Sequence, residues 1–76
     1  MRAIGYGKTG EVRVEARLYN GKPQLDIRRW FQGKDGVMQP TGKGVTLNPE
    51  QAESLVRALG SEMPRLRELR EESKDG

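Results

Sequence analysis

The chain has 76 residues, of which 33% are apolar and 33% charged, with ten glycines and neither cysteine nor histidine. One domain is all that this length supports, and so short a chain buries only about 60% of the surface that its unfolded form exposes. Without cysteine or histidine, disulfides, thiolate or imidazole metal sites, thiolate nucleophiles and Ser-His-Asp triads are excluded, and association with a second copy is the stabiliser that remains. The net charge of +3 is unevenly spread: nine basic against four acidic side chains up to Leu47 give +5, and five against seven beyond it give −2. A basic, partner-facing surface is therefore expected in the first two-thirds of the chain. No apolar run has the length of a signal peptide or membrane span, so the expected location is the cytoplasm.

Residues 11–19 alternate strictly. Val12, Val14, Ala16 and Leu18 lie on one side and Glu11, Arg13, Glu15, Arg17 and Tyr19 on the other, the pattern of a half-buried strand. Asn20-Gly21 is a strong hairpin signal, because both residues of a type I′ turn take positive φ. The second strand spans 24–32, with Leu25 and Ile27 in the core phase; that phase breaks at Arg28-Arg29, predicting a bulge or twist that turns Trp30 or Phe31 outward. A turn at 33–36, a short strand at 37–39, a turn at 40–42 and a fourth strand at 43–47 complete an antiparallel meander with one face to be covered.

The cover follows directly. Asn48-Pro49-Glu50-Gln51 combines an N-cap residue, proline at the first helical position, an acid in the first turn and a glutamine that closes a capping box. Ala52, Val56, Leu59, Met63 and Leu66 recur at helical spacing through Gly60 and Pro64. This predicts one helix to about residue 72, kinked at Pro64; two helices hinged at Gly60-Ser61 are the alternative. The expected architecture is α+β, a four-stranded antiparallel sheet followed by a C-terminal helix (ββββα), with one domain over 1–72 and a disordered tail at 73–76.

Enzymatic chemistry finds little support. Glu11, Glu15, Asp26 and Asp35 are scattered and most have a basic neighbour within two positions, as on a solvated strand face. Gly7-Lys8-Thr9 is not a Walker loop, since Arg2 stands where the pattern requires glycine. The outer face of the sheet says more: Arg13, Arg17, Tyr19, Lys22 and Arg28, with Trp30 or Phe31, alternate cations and aromatics. Single-stranded nucleic acid needs that combination, a positive track for phosphates and flat rings for bases. An ordinary solvated face, with Trp30 and Phe31 in the core, is the competing reading. Pro40-Thr41-Gly42-Lys43-Gly44 reads either as a tight turn or as a backbone approach to phosphate.

The strings YNGKPQLDIRRWF and DGVMQPTGKGVTLNPEQ, and the spacing between them, resemble the positive cofactor 4 family of transcriptional coactivators over residues 4–59. The resemblance implies a curved sheet and helix that dimerise chiefly through the helices, with adjoining grooves for single strands of opposite polarity. By position it assigns Tyr19 and Lys22 to the hairpin, Arg17 and Arg28 to the strands, Phe31 to base stacking and Lys43 to the turn. Asn20, Gln39 and Gly42 stand where the family usually has basic residues, implying weaker and less salt-sensitive binding than in the eukaryotic members. Ala52 replaces the usual aromatic of the helix. With no Ser-rich acidic region in its sequence, the chain is most similar to the stand-alone prokaryotic and phage members.

The expected function is thus non-enzymatic and cofactor-free: sequence-independent binding of single-stranded DNA by a homodimer, in transcription, replication or repair. Val56, Leu59, Met63 and Leu66 are the expected dimer contacts, since a monomer would leave them wet. RNA is an alternative ligand, because stacking does not test for the 2′-hydroxyl. The alternative class is a protein-interaction module that contacts RNA polymerase or another transcription protein through the helix, with Leu55, Leu59, Leu66 and Leu69 exposed for it.

Overall fold

A computed structural model describes residues 1–74. Among them β1 (Arg2–Tyr6), β2 (Gly10–Tyr19), β3 (Lys22–Gln32) and β4 (Met38–Leu47) form one antiparallel sheet in the order β1-β2-β3-β4, followed by α1 (Pro49–Lys74). The ββββα architecture is the one read from the sequence, but the strands are not the same four. β1 was not anticipated, and the short strands expected at 37–39 and 43–47 are one continuous β4.

Each difference has a physical cause. β1 is five residues with a glycine near its centre; it exists through its ladder to β2, from Arg2↔Val14 to Tyr6↔Gly10. In β4, Pro40 is tolerated because this is an edge strand. The turn expected at 40–42 is a bulge: between the pairs Trp30↔Pro40 and Arg28↔Gly44, β3 advances two residues and β4 four. The Thr41 hydroxyl donates to the Arg29 carbonyl (2.9 Å) and accepts from the Lys43 amide (3.1 Å), so side-chain bonds replace ladder bonds there. The phase break expected at Arg28-Arg29 therefore falls on β4 instead. β3 keeps unbroken register with β2 from Gly10↔Phe31 to Tyr19↔Lys22, and Arg29 takes the phase of Leu25 and Ile27.

Asn20 (φ 53°) and Gly21 (φ 76°) make the anticipated tight β2–β3 hairpin. At the helix start the capping box is formed: the Gln51 amide donates to Asn48 Oδ1 (2.8 Å) and the Asn48 amide to Gln51 Oε1 (3.0 Å). α1 runs through Gly60 and Pro64 as a single helix, which removes the two-helix alternative, and continues to Lys74 rather than ending near residue 72. Residues 73 and 74 of the expected tail therefore lie in the helix, and 75–76 lie outside the described residues.

The first turns of α1 lie against one face of β3 and β4, where Leu55 and Ala58 share a groove with Val45 and Leu47. This is the apolar face of the strand pattern, and α1 covers only part of it. Among the described residues no apolar side chain is buried, and Leu18 (73% exposed), Ile4 (61%) and Val45 (47%) remain open. The chain is a plate of 47 × 37 × 17 Å with a radius of gyration of 15.5 Å. A compact domain of this length has roughly 11 Å.

Candidate nucleic-acid interface

Residues paired across antiparallel strands share a face. By register the face away from α1 carries Glu11, Arg13, Glu15, Arg17 and Tyr19 from β2 and Lys22, Asp26, Arg28 and Trp30 from β3. Six of the eight residues expected to bind DNA are thus brought together: Arg13, Arg17, Tyr19, Lys22, Arg28 and Trp30. Of the two aromatics that might turn outward, Trp30 lies on this face. The Arg13 guanidinium sits 4.1 Å from the centre of its ring, within cation–π range, while Arg13 Nε donates to Glu11 Oε2 at 2.8 Å. Tyr19 and Lys22 face each other beside the hairpin turn, and Tyr19 is 58% exposed.

Asp26 organises the centre of this face. It is buried (6% exposed) and receives Arg28 Nη2 at 3.0 Å and Arg28 Nε at 3.3 Å, with the Thr46 hydroxyl at 3.3 Å. Arg17 Nη2 approaches to 3.7 Å. The Arg28 hydrogen bonds hold the Asp26 carboxyl below its ordinary pKa; burial opposes them, and the charges of Arg28 and Arg17 and the Thr46 bond reinforce them. The remaining Arg28 nitrogen, Nη1, donates to the Thr41 carbonyl in the β4 bulge at 2.9 Å. Arg28 is thus a strut between strands as much as a surface cation, a role its sequence position did not disclose.

The structure does not place Phe31 and Lys43 with the other six. Phe31 pairs with Gly10 and Gln39 in the apolar-face phase, and Lys43 borders a shallow depression of about 300 Å³ on that face, beside Val12, Arg29 and Val45. The Arg29 guanidinium lies there, 4.3 Å from the centre of the Tyr6 ring. Sequence reasoning missed both partners. Arg29 was hidden in an arginine pair whose phase was misread, and Tyr6 sits in a strand that was not recognised, although Arg2, Ile4 and Tyr6 do alternate. The expected dimer residues Val56, Leu59, Met63 and Leu66 line the exposed side of α1 at 69%, 55%, 37% and 57% exposure. Among the described residues, no three metal-ligating side chains gather, and no helix is long and apolar enough to cross a membrane.

An open antiparallel meander with a cation–aromatic face, backed by one long amphipathic helix, defines a class of small single-sheet domains built to present a surface. The sequence pattern of the transcriptional coactivator p15 (PC4) family matches residues 7–58, more than half of the chain, and the protein belongs to that family. Solved structures agree. A PC4 homologue from Burkholderia pseudomallei is 25% identical, with a TM-score of 0.70 over 78% of this chain and 80% of that one. A second crystal form of the same protein gives the same score over 87% of its length. A bacteriophage T5 homologue of the eukaryotic coactivator PC4, described as implicated in recombination-dependent DNA replication, is 21% identical and shares the fold, with a TM-score of 0.65 over 97% of this chain and 92% of its own.

Proposed function

We propose that the protein binds single-stranded DNA without regard to sequence, as a homodimer, and holds melted strands during transcription or during replication and repair. The observation that carries this reading is the grouping of Arg13-capped Trp30, exposed Tyr19, Arg17 and Lys22 on one face of an open sheet. Rings stack on any base and cations follow any phosphate backbone, so the surface suits a strand and not a sequence. The flat face offers no helix or ribbon to enter a major groove, so duplex readout has no vehicle. Membership in the coactivator family supports the same reading, and the phage homologue's link to DNA replication is the reason to include that process.

The test is a fluorescence titration of Trp30 with oligo-dT and with duplex of equal length. The single strand is expected to bind more tightly, and Tyr19→Ala and Trp30→Ala, the latter read by anisotropy of a labelled oligonucleotide, are each expected to cost about 1–3 kcal/mol. Equal affinity for duplex, or wild-type affinity in both variants, would refute the stacking mechanism.

A further inference from the structure

The face away from α1 carries three strand acids, Glu11, Glu15 and Asp26, on a surface proposed to bind an anion. Two of them are occupied. Glu11 Oε2 accepts from Arg13 Nε at 2.8 Å, and Asp26 accepts from Arg28 and from the Thr46 hydroxyl, with Arg17 Nη2 at 3.7 Å. Glu15 is different. Arg13 and Arg17 flank it two positions away on β2, but each has turned to another acid, and across the sheet Glu15 is paired with Asp26, a second carboxylate. On its other side β1 gives this face only Ala3 and Gly5. Glu15 is half-buried, yet among the described residues it makes no ion pair and no side-chain hydrogen bond.

Glu15 also stands midway between the two rings of this face. Trp30 is paired with Glu11, and Tyr19 lies at the hairpin, so each ring is four residues of β2 from Glu15, about 13 Å. A strand that stacks on both rings crosses Glu15 between them, with its phosphates drawn to Arg13 and Arg17 and a base over the carboxylate. An ionised carboxylate only accepts hydrogen bonds. The Watson–Crick edge of an unpaired strand is open to it. Cytosine presents an exocyclic amine there, as adenine and guanine present theirs, whereas thymine and uracil have a carbonyl oxygen in its place. The same carboxylate therefore accepts from an amino-bearing base and repels the oxygens of thymine.

We propose that Glu15 is a base-selecting residue of the single-strand face, which accepts a hydrogen bond from the exocyclic amine of cytosine, adenine or guanine and disfavours thymine and uracil. The inference rests on the single-strand reading above and adds a bias at one nucleotide to binding that is otherwise indifferent to sequence. It also gives a role to a carboxylate that no arginine neutralises in the middle of a phosphate-binding surface.

The experiment compares oligo-dC, oligo-dT and oligo-dU of equal length at neutral pH, by anisotropy of a labelled strand, with wild-type protein and with Glu15→Gln. The three bases are close in size, and oligo-dU separates the missing amine from the thymine methyl. Wild-type protein is expected to bind oligo-dC about fivefold more tightly than the other two, the lower end for a charge-assisted base contact. Glu15→Gln offers a donor and an acceptor in the same shape. It is expected to bind oligo-dT and oligo-dU more tightly than the wild type does and to bring the ratio close to one. Wild-type protein that binds none of the three would overturn the single-strand reading and this inference with it. Equal affinity for all three, or a preference for oligo-dT, would overturn the inference alone. So would a preference for oligo-dC that Glu15→Gln retains, including a gain of the same factor on every strand, which would make Glu15 a repulsive charge and nothing more.

Discussion

Asp26 is a carboxylate in the middle of a face proposed to bind an anion, and its contacts explain why it is there. It fixes both ends of an arrangement: Arg28 forks onto its two oxygens and reaches the bulge through the Thr41 carbonyl, while Arg17 leans on it more loosely at 3.7 Å. Lysine has the charge but not the planar fork, so Arg28→Lys cannot make the same three bonds. Because the folded pKa of Asp26 lies below the 3.8 of an unperturbed aspartate, the group contributes stability that is full above the unfolded value and lost as pH falls through the folded one. Asp26→Asn should therefore cost about 1–3 kcal/mol at neutral pH, by leaving a part-buried guanidinium short of its partner. It should also flatten the acid limb of stability below about pH 4, where the wild type is still losing this contribution. Urea melts at stepped pH read both effects, and a variant that keeps the wild-type acid limb would show that Asp26 does not hold the sheet.

At the scale of elements, the parts that local chemistry specifies were legible and the parts that depend on distant partners were not. Asn20-Gly21 and the Asn48–Gln51 box each act within four residues, and both occur where the sequence placed them. β1 depends on β2, and the alternation of Arg2, Ile4 and Tyr6 is too short to mark a strand without it; the β4 bulge depends on Arg28 and Arg29, which are 12 to 13 residues from Thr41. The site followed the same division. Strict alternation in β2 assigned Arg13, Arg17 and Tyr19 to one face, whereas Phe31, Lys43, Arg29 and Tyr6 required the register to be known. The capping box gives a clean test. Asn48→Ala removes the acceptor for the Gln51 amide and should cost about 1 kcal/mol, since the substitution introduces no cavity or buried charge. Asn48→Asp should recover most of it. A loss in both variants of equal size would mean that Asn48 acts through something other than its side-chain oxygen.

The whole molecule raises a problem that no single residue or element solves. Burial of apolar surface is the main favourable contribution to folding, yet among the described residues of one chain no apolar side chain is buried. The uncovered side chains form two matching sets, the sheet face with Ile4, Leu18 and Val45 and the helix stripe with Val56, Leu59, Met63 and Leu66. A second copy brings one of each, and an isologous pair would cover both sets at once. Folding and pairing are then one transition. Light scattering should give twice the 8.6 kDa of the chain at micromolar concentration, and the thermal midpoint should rise with protein concentration, as it does when the folded monomer is not a stable species. Leu59→Asp and Leu66→Asp, which place a charge on the helix stripe without touching the strands, should lower the midpoint and remove strand binding together. A monomer of 8.6 kDa with a concentration-independent midpoint would mean that the plate is stable by itself, leaving its apolar face free for some other partner. A dimer would carry two basic faces per particle and double the sites on one long strand, so affinity should climb with oligonucleotide length beyond what a single sheet spans.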